Sequence, residues 1–306
     1  MPPPPAQCYP SPVTLSVVII TYNEEANIAR TLESVAALVR ALDGEIIVVD
    51  SGSTDRTVEI ARGFGATVFV EPWKGYAAQK NSAIEKAGGD WVLSLDADEE
   101  LDSDARDCLR EALVAWQAAV KLTDRLHADN FLPDARTDKY VEAFVSATGA
   151  QPYVQGIYLR RRNLFLGRWI RRGGFWPDPK LRLFRRHAGR FQNRPVHEDV
   201  AVKGATATLL RGALLHHAYP TLAGYIEHMN RYSSLAAEMA GARRFSVVHI
   251  VLRPLATFFY NYFFRLGFLD GREGLLLHLY HAVYVSWKYA KAWEISRHPR
   301  GDGSNR

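Results

Sequence analysis

The chain has only two cysteines, Cys8 and Cys108, in 306 residues. Two thiols cannot build a disulfide framework, so the expected setting is the reducing cytoplasm, with both thiols inert. A run of about twenty apolar residues, the length of a membrane-spanning helix, is also missing. The nearest approach, Val247 to Phe264, is interrupted by Arg253-Pro254 and carries Tyr260, Asn261 and Tyr262. Spanning is not expected, while lying on the cytoplasmic face of a membrane stays open. Met1-Pro2-Pro3-Pro4-Pro5 lacks the basic start and apolar core of a secretion signal, and residues 1–12 read as a disordered or polyproline lead. There is no internal repeat. No glycine-rich, basic phosphate loop follows the first apolar run, which argues against a nucleotidyltransferase. No nucleic-acid-binding module is visible either, so no nucleic-acid partner is expected.

What is present fits a folded protein. Hydrophobic residues make up 47% of the chain and charged residues 23%, a balance that excludes intrinsic disorder. The net charge of +5 points to anionic partners without choosing among them. In the first hundred residues, short β-branched runs alternate with helical spacing. Leu15 to Ile20, Glu45 to Val49, Thr67 to Val70 and Trp91 to Leu95 read as strands. Between them lie a helix with Ile28, Leu32, Val35 and Leu38 on one face, a second with Val58, Ile60 and Ala61, and a loop and helix from Gly75 to Ala87. Thr21 to Glu25 carries the capping and acidic residues of a helix start. This alternation predicts an α/β fold with a mostly parallel, doubly wound sheet. Such sheets bind ligands beyond the carboxyl ends of their strands. Tyr22-Asn23-Glu24, Asp50-Ser51 and Asp96-Ala97-Asp98 all fall there.

Asp96 and Asp98, one residue apart at a strand end, can hold a hard divalent cation together with the ribose of a nucleotide. A solvated helix start over Asp96 to Asp102 explains the same acids. Taken in order, Ser16 to Glu24, Val48 to Asp55, Lys80-Asn81 and Leu95 to Glu99 resemble the family 2 glycosyltransferases. That resemblance implies a GT-A fold, a Rossmann-like nucleotide-binding domain over residues 13–215, followed by a helical extension over 216–306. It also implies roles. Thr21, Tyr22, Asn23 and Glu24 would line the nucleotide pocket, with Asp50 and Ser51 near base or ribose. Lys80 would approach base or diphosphate, Asp96 and Ala97 the ribose region, and Asp98, with Asp96 beside it, a manganese or magnesium ion. The donor would be a nucleotide-sugar, UDP-linked on family grounds.

Farther on, Leu181 to Arg186, Gly189 to Phe191, Val196-His197-Glu198 and Gly267-Phe268-Leu269-Asp270-Gly271 resemble bacterial lipopolysaccharide-core glucosyltransferases. A glycolipid or oligosaccharide acceptor follows, with a polyisoprenyl phosphate as the competing acceptor and a nucleotide-binding protein without transferase activity as the competing class. An inverting transferase needs a base near the acceptor hydroxyl. The resemblance puts it at Glu198, with Asp199 as rival. His216 and His217 read either as metal or pyrophosphate contacts or as structural histidines. Trp176 reads as a sugar platform or as core. The arginines between Tyr158 and Arg194 hold phosphate or form a solvated face. The aromatic, basic tail fits an anionic membrane surface, a homodimer or packing on the catalytic domain.

Overall fold

The computed structural model describes residues 15–129, 154–192, 199–240 and 245–297. The chain divides into two compact units. The first holds the described residues to Leu159 with Pro179–Gln192 and Val200–Leu214; the second holds Arg160–Asp178, Asp199 and the chain from Leu215.

In the first unit, the four expected strands are β1 (Leu15–Thr21), β2 (Glu45–Asp50), β3 (Thr67–Val70) and β4 (Trp91–Asp96). They alternate with helices α1 (Ile28–Ala41), α2 (Thr57–Gly63) and α3 (Tyr76–Lys86). A short β5 (Glu99–Leu101) precedes α4 (Ser103–Asp129). Of the later strands, β6 (Gly156–Phe165) begins in this unit and forms its hairpin with β7 (Arg168–Trp169) in the second, and β8 (Asp178–Arg185) follows. Strand order runs β3-β2-β1-β4-β8, with β1 to β4 mutually parallel and β8 antiparallel to β4. Small strands β9 (Gly189–Phe191) and β10 (Val200–Val202) pair antiparallel, and β11 (Thr206–Thr208) lies parallel beside the start of β6.

The apolar runs are continuous because the sheet is covered on both faces. Val17, Ile19, Leu93 and Leu95 meet Ile28, Leu32, Val35 and Leu38 of α1, and Cys108, Leu109 and Leu113 of α4 join them. Val18, Ile47, Val49 and Val92 meet Ala77, Ala83 and Ile84 of α3 on the other face. From β1 the chain steps outward to β2 and β3, then α3 returns it to β4 on the opposite side of β1. The topological switch point therefore lies between the carboxyl ends of β1 and β4.

The second unit contains β12 (Leu214–Tyr219) from Leu215, then α5 (Leu222–Ala240), α6 (Arg253–Phe259) and α7 (Gly271–Arg297). Single π-helical turns, Val248–Leu252 and Tyr260–Phe264, flank α6, and a 3-10 turn, Gly267–Asp270, leads into α7. The helix runs through Arg253-Pro254 because Pro254 stands in the first turn of α6. The division is not one cut near residue 215: residues 160–178 group with the helices. Phe165 and Ile170 bury themselves with Tyr225 and Leu277, and Asp270 accepts the backbone N–H groups of Arg171 and Arg172. No described helix is long and apolar enough to cross a membrane.

Candidate active site

Strand register builds the site. Thr21 pairs with Asp50 across β1 and β2, and Ile20 with Asp96 across β1 and β4. The three polar clusters thus come to one edge. Asp50 is fully buried, and its carboxylate accepts four hydrogen bonds, from the Thr21 hydroxyl, the Gly52 and Ser53 amides and the Ser53 hydroxyl. Those bonds fill the lone pairs a carboxylate offers. Burying an unpaired carboxylate is costly, but these bonds compensate it from within, and Asp50 shapes the turn after β2, with Gly52 at φ +89°.

The loop after β1 is laced to the loop after β2. Asn23 takes a left-handed φ of 54°, a conformation Asn tolerates. Its side-chain carbonyl accepts from the Thr54 amide at 2.9 Å, and its own amide donates to Ser53 Oγ at 2.8 Å. The Glu24 amide donates to Thr57 Oγ1 and the Glu25 amide to Asp55. These bonds explain why α1 starts at Ile28 and not within Thr21 to Glu25: the segment's donors are spent on the neighbouring loop. Tyr22, 57% exposed, is left at the rim. Ser51 Oγ is buried with no hydrogen-bond partner.

At the end of β4 the acids divide. Asp96 is gripped by Lys80 Nζ at 2.7 Å and by the Arg182 guanidinium at 2.6 Å. Arg182 also binds the fully buried Glu99 at 2.6 Å, and Glu99 accepts the Asp96 amide. Burial alone would weaken the charge on Arg182, but Asp96 and Glu99 together raise its pKa above the usual value. Two cations and two carboxylates balance one another here. The Ala97 carbonyl accepts Thr31 Oγ1 at 2.6 Å, which ties the tip of the triplet to α1. A helix start at Asp96 is not what these acids serve, because α4 begins at Ser103 and its cap is Asp102, bonded to the Ala105 amide.

Glu24 lies near the same edge. Burial pushes its carboxyl above the usual range, and the like charges of Asp98, Asp55 and Asp96 push the same way, against one hydrogen bond from Asn27. Mutual repulsion of this kind is relieved by a cation. Among the described residues no three His, Cys, Asp or Glu side chains gather into a complete metal cage. A hard cation that arrives with a diphosphate needs only one or two carboxylates. The donor set at Asp98 fits that requirement.

Residues 16–188, more than half of the chain, match the family model described as Glycosyl transferase family 2. The chain belongs to the family 2 glycosyltransferases. As a family 2 transferase it is an enzyme, and the matched span takes in the strands that carry the site. Lipopolysaccharide core biosynthesis glycosyltransferase LpsC of Rhizobium meliloti is 29% identical over 92% of both chains. An uncharacterized glycosyltransferase of Rickettsia typhi is 50% identical over 93 residues, 30% of each chain. A solved glucosyl-3-phosphoglycerate synthase from Mycobacterium tuberculosis, in complex with manganese, UDP and glucosyl-3-phosphoglycerate, is 31% identical over 34% of this chain and 40% of its own, with a TM-score of 0.29.

Other expectations resolve unevenly. Glu198 lies outside the described residues, and Asp199 is exposed beside β10. In the second unit, His216 Nδ1 is 2.7 Å from Asn163 Oδ1 and His217 stands edge-on to Trp169, which gives both histidines structural partners. Trp176 is half-buried under the Arg162 guanidinium, 4.5 Å from its ring centre. In the sequence Arg182 is one of many arginines between Tyr158 and Arg194 and nothing pairs it with Glu99; the one local signal is the alternation of Leu181-Arg182-Leu183 on a strand.

Proposed function

We propose that this transferase moves a sugar, with inversion, from a UDP-sugar to a cell-envelope glycan or glycolipid of the lipopolysaccharide-core type, and depends on a divalent metal. The observation that carries the donor half is the register of β1, β2 and β4, which sets Thr21, Asp50 and Asp96 along the switch-point edge with Asp98 just beyond. Tyr22, Ser51 and Glu24 are the groups left to meet the nucleotide, while Thr21, Asn23 and Asp50 hold the loops that present them. Lys80 and Arg182 fix Asp96. Asp98 would hold the metal, with Asp96 beside it; when bound, the metal stabilises charge on the departing nucleoside diphosphate.

The acceptor hydroxyl attacks the anomeric carbon in line and its proton passes to a carboxylate, Glu198 or Asp199. The bond from that carbon to the diphosphate oxygen breaks, and no covalent glycosyl-enzyme forms. The LpsC relative, similar over nearly its whole length, supports the acceptor class.

A thermal-shift screen of nucleotide-sugars with and without manganese tests the donor half. Ligand at a hundredfold over its dissociation constant adds about 2.7 kcal/mol of stability. Stabilisation by UDP-sugars only with metal is the expected result; a shift with no metal requirement sinks the Asp98 assignment. Transfer of labelled sugar to core oligosaccharide then separates an active transferase from a binding protein.

A further inference from the structure

We infer that residues 247–269 form a docking surface for a membrane leaflet rich in anionic phospholipid. Twelve of the twenty-four large apolar side chains exposed among the described residues lie in this stretch. Phe264 is 80% exposed and Val247 73%. Across the two π-helical turns and α6, Pro254 is the one buried residue. A helix that serves a globular core buries an apolar stripe, whereas here Ile250, Phe258 and Tyr262 are only half-buried. Contiguous apolar surface on this scale marks an interaction site.

The ridge is anchored and not a frayed end. Ser286 donates to the Ile250 carbonyl at 2.8 Å, the Arg253 guanidinium sits over Tyr289, and the Gly173 amide donates to the Arg265 carbonyl. Beneath it, Lys291 Nζ donates to Asn230, Ser233 and Ser234 and so joins α7 to α5.

Charge decides the occupant. The one acid between Val247 and Arg272 is Asp270, buried and bonded to the backbone of Arg171 and Arg172. Arg253, Arg265 and Arg272 are exposed. A two-fold dimer through this face would bring two copies of the same basic surface together, with no exposed acid on it to offset the charge. Phosphatidyl headgroups instead neutralise them while Phe and Leu enter the acyl boundary, the division of labour of an interfacial helix.

The test uses the full chain without nucleotide-sugar, so it is independent of the transfer reaction. Flotation with phosphatidylcholine vesicles, with and without phosphatidylglycerol, should show binding only to the anionic set, weakened by salt. Phe259→Ser with Phe264→Ser should lower binding about tenfold or more. Gln in place of Arg253, Arg265 and Arg272 should lower it about fivefold per charge. Hydrogen exchange on the unmodified chain should show vesicle-dependent protection confined to 247–269, which keeps the test open should a variant misfold. Absence of anionic binding or of that protection overturns the proposal. So does a dimer in sedimentation that the Phe variant dissolves while vesicle binding is unchanged.

Discussion

Asp96 and Asp98 are separated by a single buried alanine, yet their surroundings differ. Asp96 is held by Lys80 and Arg182, whereas Asp98 contributes to the field that raises the pKa of Glu24. Asp98→Ala should abolish transfer, a loss of a thousandfold or more by the scale of about 1.4 kcal/mol per tenfold in rate, with the melting temperature little changed. Turnover within tenfold of wild type would refute the metal role. Arg182→Met should act on the fold instead. It leaves the fully buried Glu99 unpaired, and breaking one side of a buried ion pair costs about 3–5 kcal/mol. Chemical denaturation would measure it. Residue type and order in the strand ends were legible from the sequence. The Arg182 bridge was not, because its partners stand 86 and 83 positions away and nothing local distinguishes it from its neighbours.

The helix that delivers Lys80 is fastened at its approach. Glu71, just past β3, binds Lys86 at 2.6 Å and Lys74 at 2.9 Å and accepts the Ser82 hydroxyl. These bonds, led by the one from Lys86, hold its carboxyl at about 2 against an ordinary 4.5. A lowered carboxylate pKa adds stability that is complete above 4.5 and lost as pH falls through 2. Glu71→Gln should therefore cost about 1–2 kcal/mol at neutral pH, a value reduced from the full shift for partial exposure, and flatten the acid side of the stability profile. An unchanged profile between pH 4.5 and 2 would count against it. Strands and helices here were readable from hydrophobic periodicity. The start of α1 was not, since it depends on which neighbouring loop takes up the backbone donors.

At the scale of the whole molecule, the chain is two units that interleave in sequence. The helical unit contains His281, whose pKa falls to about 4 through burial, with His278 and Lys288 adding repulsion. His278, 1% exposed, is shifted the same way by burial. His281 is therefore neutral in the folded state near neutral pH, and the unfolded chain takes up its proton first as pH drops below 6.5. Stability should thus fall from about pH 6.5 toward 4, by up to about 1.4 kcal/mol per pH unit from His281. His281→Leu should reduce that slope in pH-dependent melts, and a slope equal to wild type would exclude the assignment.

The amino-acid order alone determined the α/β class, the parallel strands and the acidic clusters at their ends, because periodicity and strand-end chemistry are local properties. Tertiary structure decided what each acid does. Asp50 shapes a turn, Asp96 is neutralised, and Asp98 stays in the field around Glu24, since burial and long-range ion pairs arise only when distant segments meet. It also decided that residues 160–178 join the helical unit, where Phe165 and Ile170 find their apolar partners.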